Sequence, residues 1–336
     1  MHISVNHRQG AEHQKQIEKR LNKALEFIKS ETWPSGMVKL YGFDRNTTDP
    51  EYNDLTTFFT GLTGLMIHDI QHPAATELKS YMVNLLQSEV LNNKFWMWSA
   101  LNSHLCKIIP PDIDSSSVNS EFLLHNGILL DNLGALSRNR PKDPLKGFYT
   151  WLLPRRQLFK EHWTDILILI RHSFFHSKLW KKTSSTPHEL NAFVSLNAYA
   201  YFIQKDPHFI QDAERFIEQY TTVEEMHDVY YPNKYTRYFL MSRVLKYSKR
   251  NDLCSIFLPQ KISPDDLSDI ELSCFILTYR NLNIELEADY KTALMKRQQS
   301  DGSFNKEEFF CHSDSMIWRS PGFNTALALN ALVTGI

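Results

Sequence analysis

A helix signature that occurs six times constrains what this chain can fold into. Each copy has Asp, Asn, Glu or Ser/Thr among its opening residues and continues as a long run of small and apolar residues, at 53–67, 112–128, 188–202, 233–248, 266–282 and 322–336. Several copies are apolar nearly all round, the pattern of a helix packed on every side. More amphipathic segments precede them, as at 12–31 and 76–91. Six buried helices alternating with six half-exposed ones predict an all-α fold. The expected architecture is an (α/α)6 toroid, a double ring of helical hairpins around a central cavity.

The bulk properties fit such a ring and exclude other classes. A chain of 336 residues exceeds the usual size of one domain, but a closed ring of hairpins needs about that much. Aromatics reach 12% while Gly numbers only 11, which argues against a sheet protein or a glycine-rich nucleotide loop. Lys and Arg (37) balance Asp and Glu (38), and no basic stripe is visible, so no nucleic-acid partner is expected. Cys106, Cys254, Cys274 and Cys311 form no C-x-x-C pair, and the first residues are polar, which together predict a reduced, cytoplasmic protein with free thiols. No apolar stretch reaches the ~18 residues of a membrane span. Peripheral membrane association through an exposed apolar patch stays open.

No Gly/Ser- or Pro-rich linker divides the chain, so residues 1–336 read as one domain. The spacing of the copies is irregular, which fits closed hairpins better than a strict solenoid. The longest gap, 129–187, carries Pro141, Pro144 and Pro154, each a helix breaker, and predicts an insertion or cap near 131–163. An outer helix is expected at 164–180. Outer helices end alike: Trp33-Pro34-Ser35-Gly36, Asn92-Asn93-Lys94-Phe95-Trp96 and Gln298 through Gly302 to Phe304 each place Gly or Asn near a bulky aromatic. Gly or Asn there takes the left-handed conformation that ends a helix.

Polar residues gather at the starts of the buried helices. Pro110-Pro111-Asp112-Ile113-Asp114-Ser115 suits a helix N-cap, since Asp and Ser cap well and Pro often precedes. Asp54, His188, Glu189, Lys234, Arg237, Asp265, Asp266 and Asp269 open other copies. If the helices run the same way round the ring, these residues share one mouth. Lys234 and Arg237 would then hold a diphosphate, or the acidic group would hold Mg²⁺ against one. Solvated caps account for the same residues. Phe95, Trp96, Trp98, Tyr149, Trp151, Tyr199, Phe202, Tyr230, Tyr231, Tyr235 and Trp318 are candidates for a cavity lining. His68 and His72 have the i, i+4 spacing of two helical metal ligands, but Pro73 follows at once and no third ligand is indicated. No Gly-x-Ser-x-Gly elbow supports nucleophilic hydrolysis.

Short pieces resemble a known superfamily. Gln298-x-x-x-Gly302-x-Phe304 resembles the QW repeat of squalene–hopene and oxidosqualene cyclases, with Phe for the usual Trp. Asp112-Ile113-Asp114-Ser115 resembles the Asp-x-Asp-Asp region of class II terpene cyclases, with Ser115 for the last Asp. Tyr230-Tyr231-Pro232 and the closing run Thr325–Leu332 are also similar to single-domain members of the terpene cyclase/protein prenyltransferase toroid superfamily. The resemblance implies an isomerase or lyase that protonates an isoprenoid and folds the carbocation inside an aromatic-lined cavity. By the match Asp114 is the proton donor and Asp112 its neighbouring carboxylate. Phe95, Trp96, Trp98, Tyr230, Tyr231, Tyr235, Trp318, Lys234 and Arg237 are the expected substrate contacts. No metal ligand set matches the zinc site of protein prenyltransferases, and Mg²⁺ enters only with a diphosphate substrate. A homodimer or a second helical chain would supply the wall that two-domain cyclases provide. Two rival classes remain, a non-catalytic lipid-binding or scaffold toroid and a carbohydrate-active α/α barrel, the latter marked by two carboxylates facing each other.

Overall fold

Where the sequence has its apolar runs, the structure has helices buried along their whole length. The structure is a computed structural model that describes residues 3–44, 52–103, 106, 109–155, 163–173, 185–223, 225–226, 228, 230–305, 307–311 and 316–333. Its helices are α1 (Ile3–Ser30), α2 (Thr57–Ile67), α3 (Pro73–Glu89), α4 (Ile113–His125), α5 (Leu133–Ser137), α6 (Trp163–Ser173), α7 (Ala192–Lys205), α8 (Phe209–Ile217), α9 (Lys234–Leu245), α10 (Asn251–Ile256), α11 (Asp269–Asn281), α12 (Ala288–Arg297) and α13 (Pro321–Val333). The six buried ones pack in cyclic order: α2 on α4, α4 on α7, α7 on α9, α9 on α11, α11 on α13, and α13 back on α2. The more polar helices lie outside them. Thus α1 packs on α13 and α3, α3 on α2, α8 on α7, α10 on α9, and α12 on α11 and α13.

The starts of α4, α7, α9 and α11 are fixed by side-chain caps, each worth about 1 kcal/mol. Asp112 accepts from Ser115 N at 2.6 Å, and Asn191 accepts from Phe193 N and Val194 N. Asn233 accepts from Tyr235 N, while Ser268 and Glu271 form a capping box. The Glu307 carboxylate accepts from Asp269 N and Ile270 N. The Glu307 bonds tie the start of α11 to the chain before β3.

The expectation of an all-α chain needs correction. Strands β1 (Lys39–Asp44), β2 (Tyr52–Leu55), β3 (Phe310–Cys311) and β4 (Met316–Arg319) form a small antiparallel sheet in the order β2-β1-β4-β3. Register pairs Leu40 with Asp54, Gly42 with Trp318 and Phe310 with Trp318. The sheet joins the chain before α2 to the chain before α13, so it stitches the first buried helix to the last. Its strands are too short to stand out beside helical runs. Consequently Asp54 does not open a helix: it sits in β2, where its Oδ1 accepts from Leu55 N at 2.7 Å. His188 and Glu189 likewise precede α7, and α2 ends at Ile67. His68 is therefore the C-cap of α2 and His72 the N-cap of α3, so the pair is not two ligands on one helix.

The turns after the outer helices behave as their sequences predict. Gly36 and Gly302 both have φ +97°, and Asn92 and Asn93 are also left-handed. At Gly302 the backbone runs against α1, and a Cβ would stand 2.3 Å from Lys23 O. Gln298 Nε2 donates to Arg20 O at 3.0 Å and Phe304 is buried, so this turn clasps α12 to α1. In the long gap, Tyr149–Leu152 crosses the starts of α4 and α7: Ile113 N donates to Thr150 O at 3.0 Å and Thr150 N to Glu189 O at 2.9 Å. Residues 156–162, within the expected cap, and 174–180, the end of the expected outer helix, lie outside the described residues.

Candidate active site

The start of α4 places two carboxyl groups inside the protein. Asp112 is the N-cap and Asp114 lies in the first turn, with 3% and 5% of their surface exposed. Asp114 Oδ1 accepts from Asn197 Nδ2 at 2.8 Å, and its Oδ2 accepts from Tyr231 Oη–H at 2.6 Å. Asn197 comes from α7 and Tyr231 from the turn before α9, so three neighbours in the ring build the site.

Electrostatics decide the state of these acids. Burial pushes Asp114 up to about 8, with the nearby Asp112 and Asp228 adding to the rise, while the Tyr231 and Asn197 hydrogen bonds pull it back. Burial also lifts Asp112 to about 7, against the stabilising bonds from Ser115. Asp228, whose Oδ1 accepts from Tyr230 N and Tyr231 N at 2.7 Å each, is raised by burial to about 6. A helix N-terminus favours a carboxylate, but here loss of water outweighs it. Burial thus favours the neutral, hydrogen-bonded form of Asp114.

Below Asp114 a polar column runs along the interface of α4, α7 and α9. Asn197 Oδ1 accepts from Arg243, which also pairs with Glu121. Glu121 accepts from Gln204 Nε2 at 2.9 Å, and Gln204 Oε1 meets His125 Nε2 at 2.6 Å. His125 lies edge-on to His68, 4.7 Å between centroids. Asp114, Glu121 and His125 share one face of α4, and Asn197 and Gln204 the facing side of α7.

On the other side of Asp114 lies an aromatic cluster centred on Phe310 of β3. Tyr230 stacks on it at 5.4 Å and 4°, Tyr231 stands edge-on at 5.6 Å, Trp98 stacks at 6.2 Å, and Phe58 and Phe59 close in at 5.8 and 6.4 Å. Trp318 packs edge-on to Trp98 at 5.1 Å. Glu189 accepts from Tyr230 Oη at 2.9 Å and from Trp151 Nε1 at 2.9 Å, which fixes the tyrosine that faces Phe310.

The structure thus gathers Asp112, Asp114, Tyr230, Tyr231, Trp98 and Trp318, and places the other candidates elsewhere. Phe95 and Trp96 are fully buried, and Trp96 Nε1 donates to Leu86 O at 3.0 Å, so it anchors α3. Tyr199 and Phe202 lie on the outer face of α7, against Phe216 and Phe209 of α8. Tyr235 packs on Phe275 of α11, and Tyr149 lies under the Arg155 guanidinium. Lys234 is exposed over the Tyr235 ring, and Arg237 donates to Met226 O, so the two do not converge on an anion. Asp265 and Asp266 are exposed, whereas Asp269 is buried and accepts from Asn305 N at 2.9 Å. Among the described residues no group of three His, Cys, Asp or Glu is placed to hold a metal ion. Sequence reasoning missed Asn197, Arg243, Glu121, Asp228 and Phe310. For three of them a signal existed: Glu121, Asn197 and Arg243 are polar residues set inside apolar helical runs.

Comparison with known proteins bears on the fold. No protein-family model matches the chain, and no curated protein does. Solved structures match in fold. The type II terpene cyclase MstE from Scytonema, as a variant in complex with merosterolic acid A (product), superposes with a TM-score of 0.67 at 12% identity, over 95% of this chain and 96% of that one. Another MstE variant, in complex with geranylgeranyl dihydroxybenzoate (substrate), gives 0.66 at 13%, over 95% and 97%. A protein from Actinoplanes gives 0.69 at 12%, over 94% and 98%. The chain has a terpene cyclase-like fold.

Proposed function

We propose that this protein is a class II-like terpene cyclase that starts cyclisation or isomerisation of an isoprenoid by protonating it with Asp114. The observation that carries the reading is a carboxylic acid kept neutral by burial, held by Tyr231 and Asn197, and bordered by an aromatic cluster. In the proposed step the Asp114 O–H bond breaks as a terminal alkene or epoxide takes the proton. For an alkene a C–H bond forms and leaves a carbocation; for an epoxide an O–H bond forms and the ring C–O bond breaks to leave one. Internal π bonds close onto that cation in turn. Loss of one proton from the last cation to solvent gives a product of the substrate's own composition, and solvent returns a proton to Asp114. The Asp114 carboxylate formed on the way is stabilised by the Tyr231 and Asn197 donors. Tyr230, Tyr231, Trp98 and Trp318, with Phe310, would line the substrate site, each ring face worth about 0.5–2 kcal/mol to a passing cation. Asp112 assists by its proximity, since a second acid disfavours ionisation of the first.

The cyclic packing of α2, α4, α7, α9, α11 and α13 supports reading the ring as an (α/α)6 toroid with its substrate cavity inside, in a single domain spanning 1–336. Among the described residues no helix is long and apolar enough to cross a membrane. Peripheral contact with a membrane, where an apolar substrate would be met, would use Trp163, Leu167 and Ile170, which are exposed along α6.

The experiment is direct incubation of the purified protein with geranylgeranyl dihydroxybenzoate, squalene, and farnesyl and geranylgeranyl diphosphate, with products read by mass spectrometry. Wild type is expected to yield an isomer of one of them, and Asp114→Asn to yield none. Full turnover by Asp114→Asn would remove that residue from the chemistry. An unchanged isoprenoid that co-purifies and is never converted would favour a carrier. Ser115, buried where the motif's last Asp would stand, is the feature that supports that second reading.

A further inference from the structure

The polar column below Asp114 has a direction. A guanidinium has only N–H donors, and Arg243 gives them to Asn197 Oδ1 and to Glu121. That contact assigns the amide: its oxygen faces Arg243, and its Nδ2 hydrogens face Asp114 at 2.8 Å and Tyr231 at 3.2 Å. The reverse orientation would set an N–H₂ group against a buried cation. Asp114 Oδ1 therefore always meets a donor and has no acceptor for a hydrogen of its own. On this geometry we infer that the Arg243–Glu121 pair, acting through Asn197, confines the Asp114 proton to Oδ2, the carboxyl oxygen 2.6 Å from the Tyr231 hydroxyl.

Arg243 and Asn197 are positioning residues in this scheme. The Tyr231 hydroxyl serves both forms of the acid, because it carries one donor and two lone pairs. It donates to Oδ2 when Asp114 is ionised, and turns to accept from Oδ2–H when Asp114 is neutral. Asn197 stays on Oδ1 throughout. Oδ2 is also the oxygen on the aromatic side, since Tyr231 lies edge-on to Phe309 and Phe310 at 6.0 and 5.6 Å. One oxygen thus delivers the proton, and it is the one next to the proposed substrate wall. The charged and titratable groups facing Asp114 are Asp112 from α4, Asp228 and Tyr231 from the segment before α9, and Arg243 of α9 with its partner Glu121 of α4. The inference rests on Asp114 being a neutral acid, as the cyclase reading requires, and on no particular substrate.

Infrared difference spectra of the full chain, taken between pH values below and above the Asp114 midpoint, test it. Asp114→Asn identifies the neutral-acid C=O band by removing it. With the proton on Oδ2, the C=O is Oδ1 and its stretch is lowered by the Asn197 hydrogen bond. Asn197→Leu should then raise the frequency, and Tyr231→Phe should leave it in place. Arg243→Met alone strands Glu121, so the paired variant Arg243→Met/Glu121→Met is used, with its fold checked by circular dichroism. It frees the amide and should move the band as Asn197→Leu does, whereas Arg243→Lys, a donor-only cation, should restore the wild-type frequency. A band that ignores Asn197→Leu, or that shifts in Tyr231→Phe instead, overturns the assignment. The expected band pattern without turnover on any isoprenoid would uphold the proton's position and defeat the cyclase reading alone.

Discussion

Replacing Asp114 by Asn should make the protein more stable, and increasingly so as pH rises. Asn is the isostere of the neutral acid, with its oxygen toward Asn197 and its NH₂ toward Tyr231. In the folded chain Asp114 keeps its proton up to about 8, whereas in the unfolded chain it releases it near the ordinary 3.8. Between those values the folded state binds more protons than the unfolded one, so raising the pH favours unfolding. The stabilising contribution of the buried acid is therefore complete below 3.8, shrinks through the window, and is fully lost above about 8. The window spans roughly four pH units, and at about 1.4 kcal/mol per unit the ceiling on the loss is about 6 kcal/mol. Asp112 shares the same desolvated space, and relaxation with water entry lowers the effective cost of a buried ion, so about 2–4 kcal/mol is the expected gain in the variant. Urea denaturation of both proteins, at steps from about pH 5 to about pH 9, reads it as a widening gap in midpoint. Parallel profiles across that range would refute the neutral-acid state and with it the proposed chemistry.

Turnover on an accepted isoprenoid should be level below about pH 8 and fall tenfold per unit above it, as Asp114 loses its proton; a rate that rises through that range would contradict an acid role. Arg243→Leu should cost about 3–5 kcal/mol in thermal or urea unfolding, because Glu121 is left as an unpaired buried charge, while Arg243→Leu/Glu121→Leu should recover most of the loss. Single and double variants of equal stability would show that the pair is not desolvated. Gly302→Ala should lower stability by about 1–3 kcal/mol, through its positive φ and the approach of Lys23 O, and a calorimetric midpoint unchanged from wild type would show that the turn relaxes freely.

The buried ring was legible because its signal is local. A helix packed on all sides must be apolar on all sides, and of six such runs those capped at Asp112, Asn233 and Ser268 mark their own starts. The sheet was not legible. β3 is only Phe310–Cys311, and its pairing partner β4 is fixed by packing against β1, far away in sequence. The aromatic candidates divide for the same reason. Trp98 and Trp96 are two residues apart in one loop, a spacing that regular alternation would set on one face, yet Trp98 reaches Phe310 while Trp96 bonds α3. Tyr199 and Asn197 show this on a helix, where the face toward α8 takes the ring and the face toward α4 takes the amide.

The departure at Ser115 acquires a physical meaning beside these contacts. Its backbone N–H caps Asp112 Oδ1 at 2.6 Å, so the position already serves the acid pair through the main chain. A carboxyl side chain there would add a fourth acid to a space in which burial already drives Asp112 to about 7, Asp114 to about 8 and Asp228 to about 6. Each further ionisable group must be protonated, paired or hydrated. The donors present are few: Tyr231 and Asn197 are committed to Asp114, and Arg243 to Glu121 and Asn197. Ser115→Asp should therefore lower stability at neutral pH and drive Asp114 higher still, making it a weaker acid, and a variant that is instead more active would show that a source of hydrogen bonds beyond these donors reaches the site.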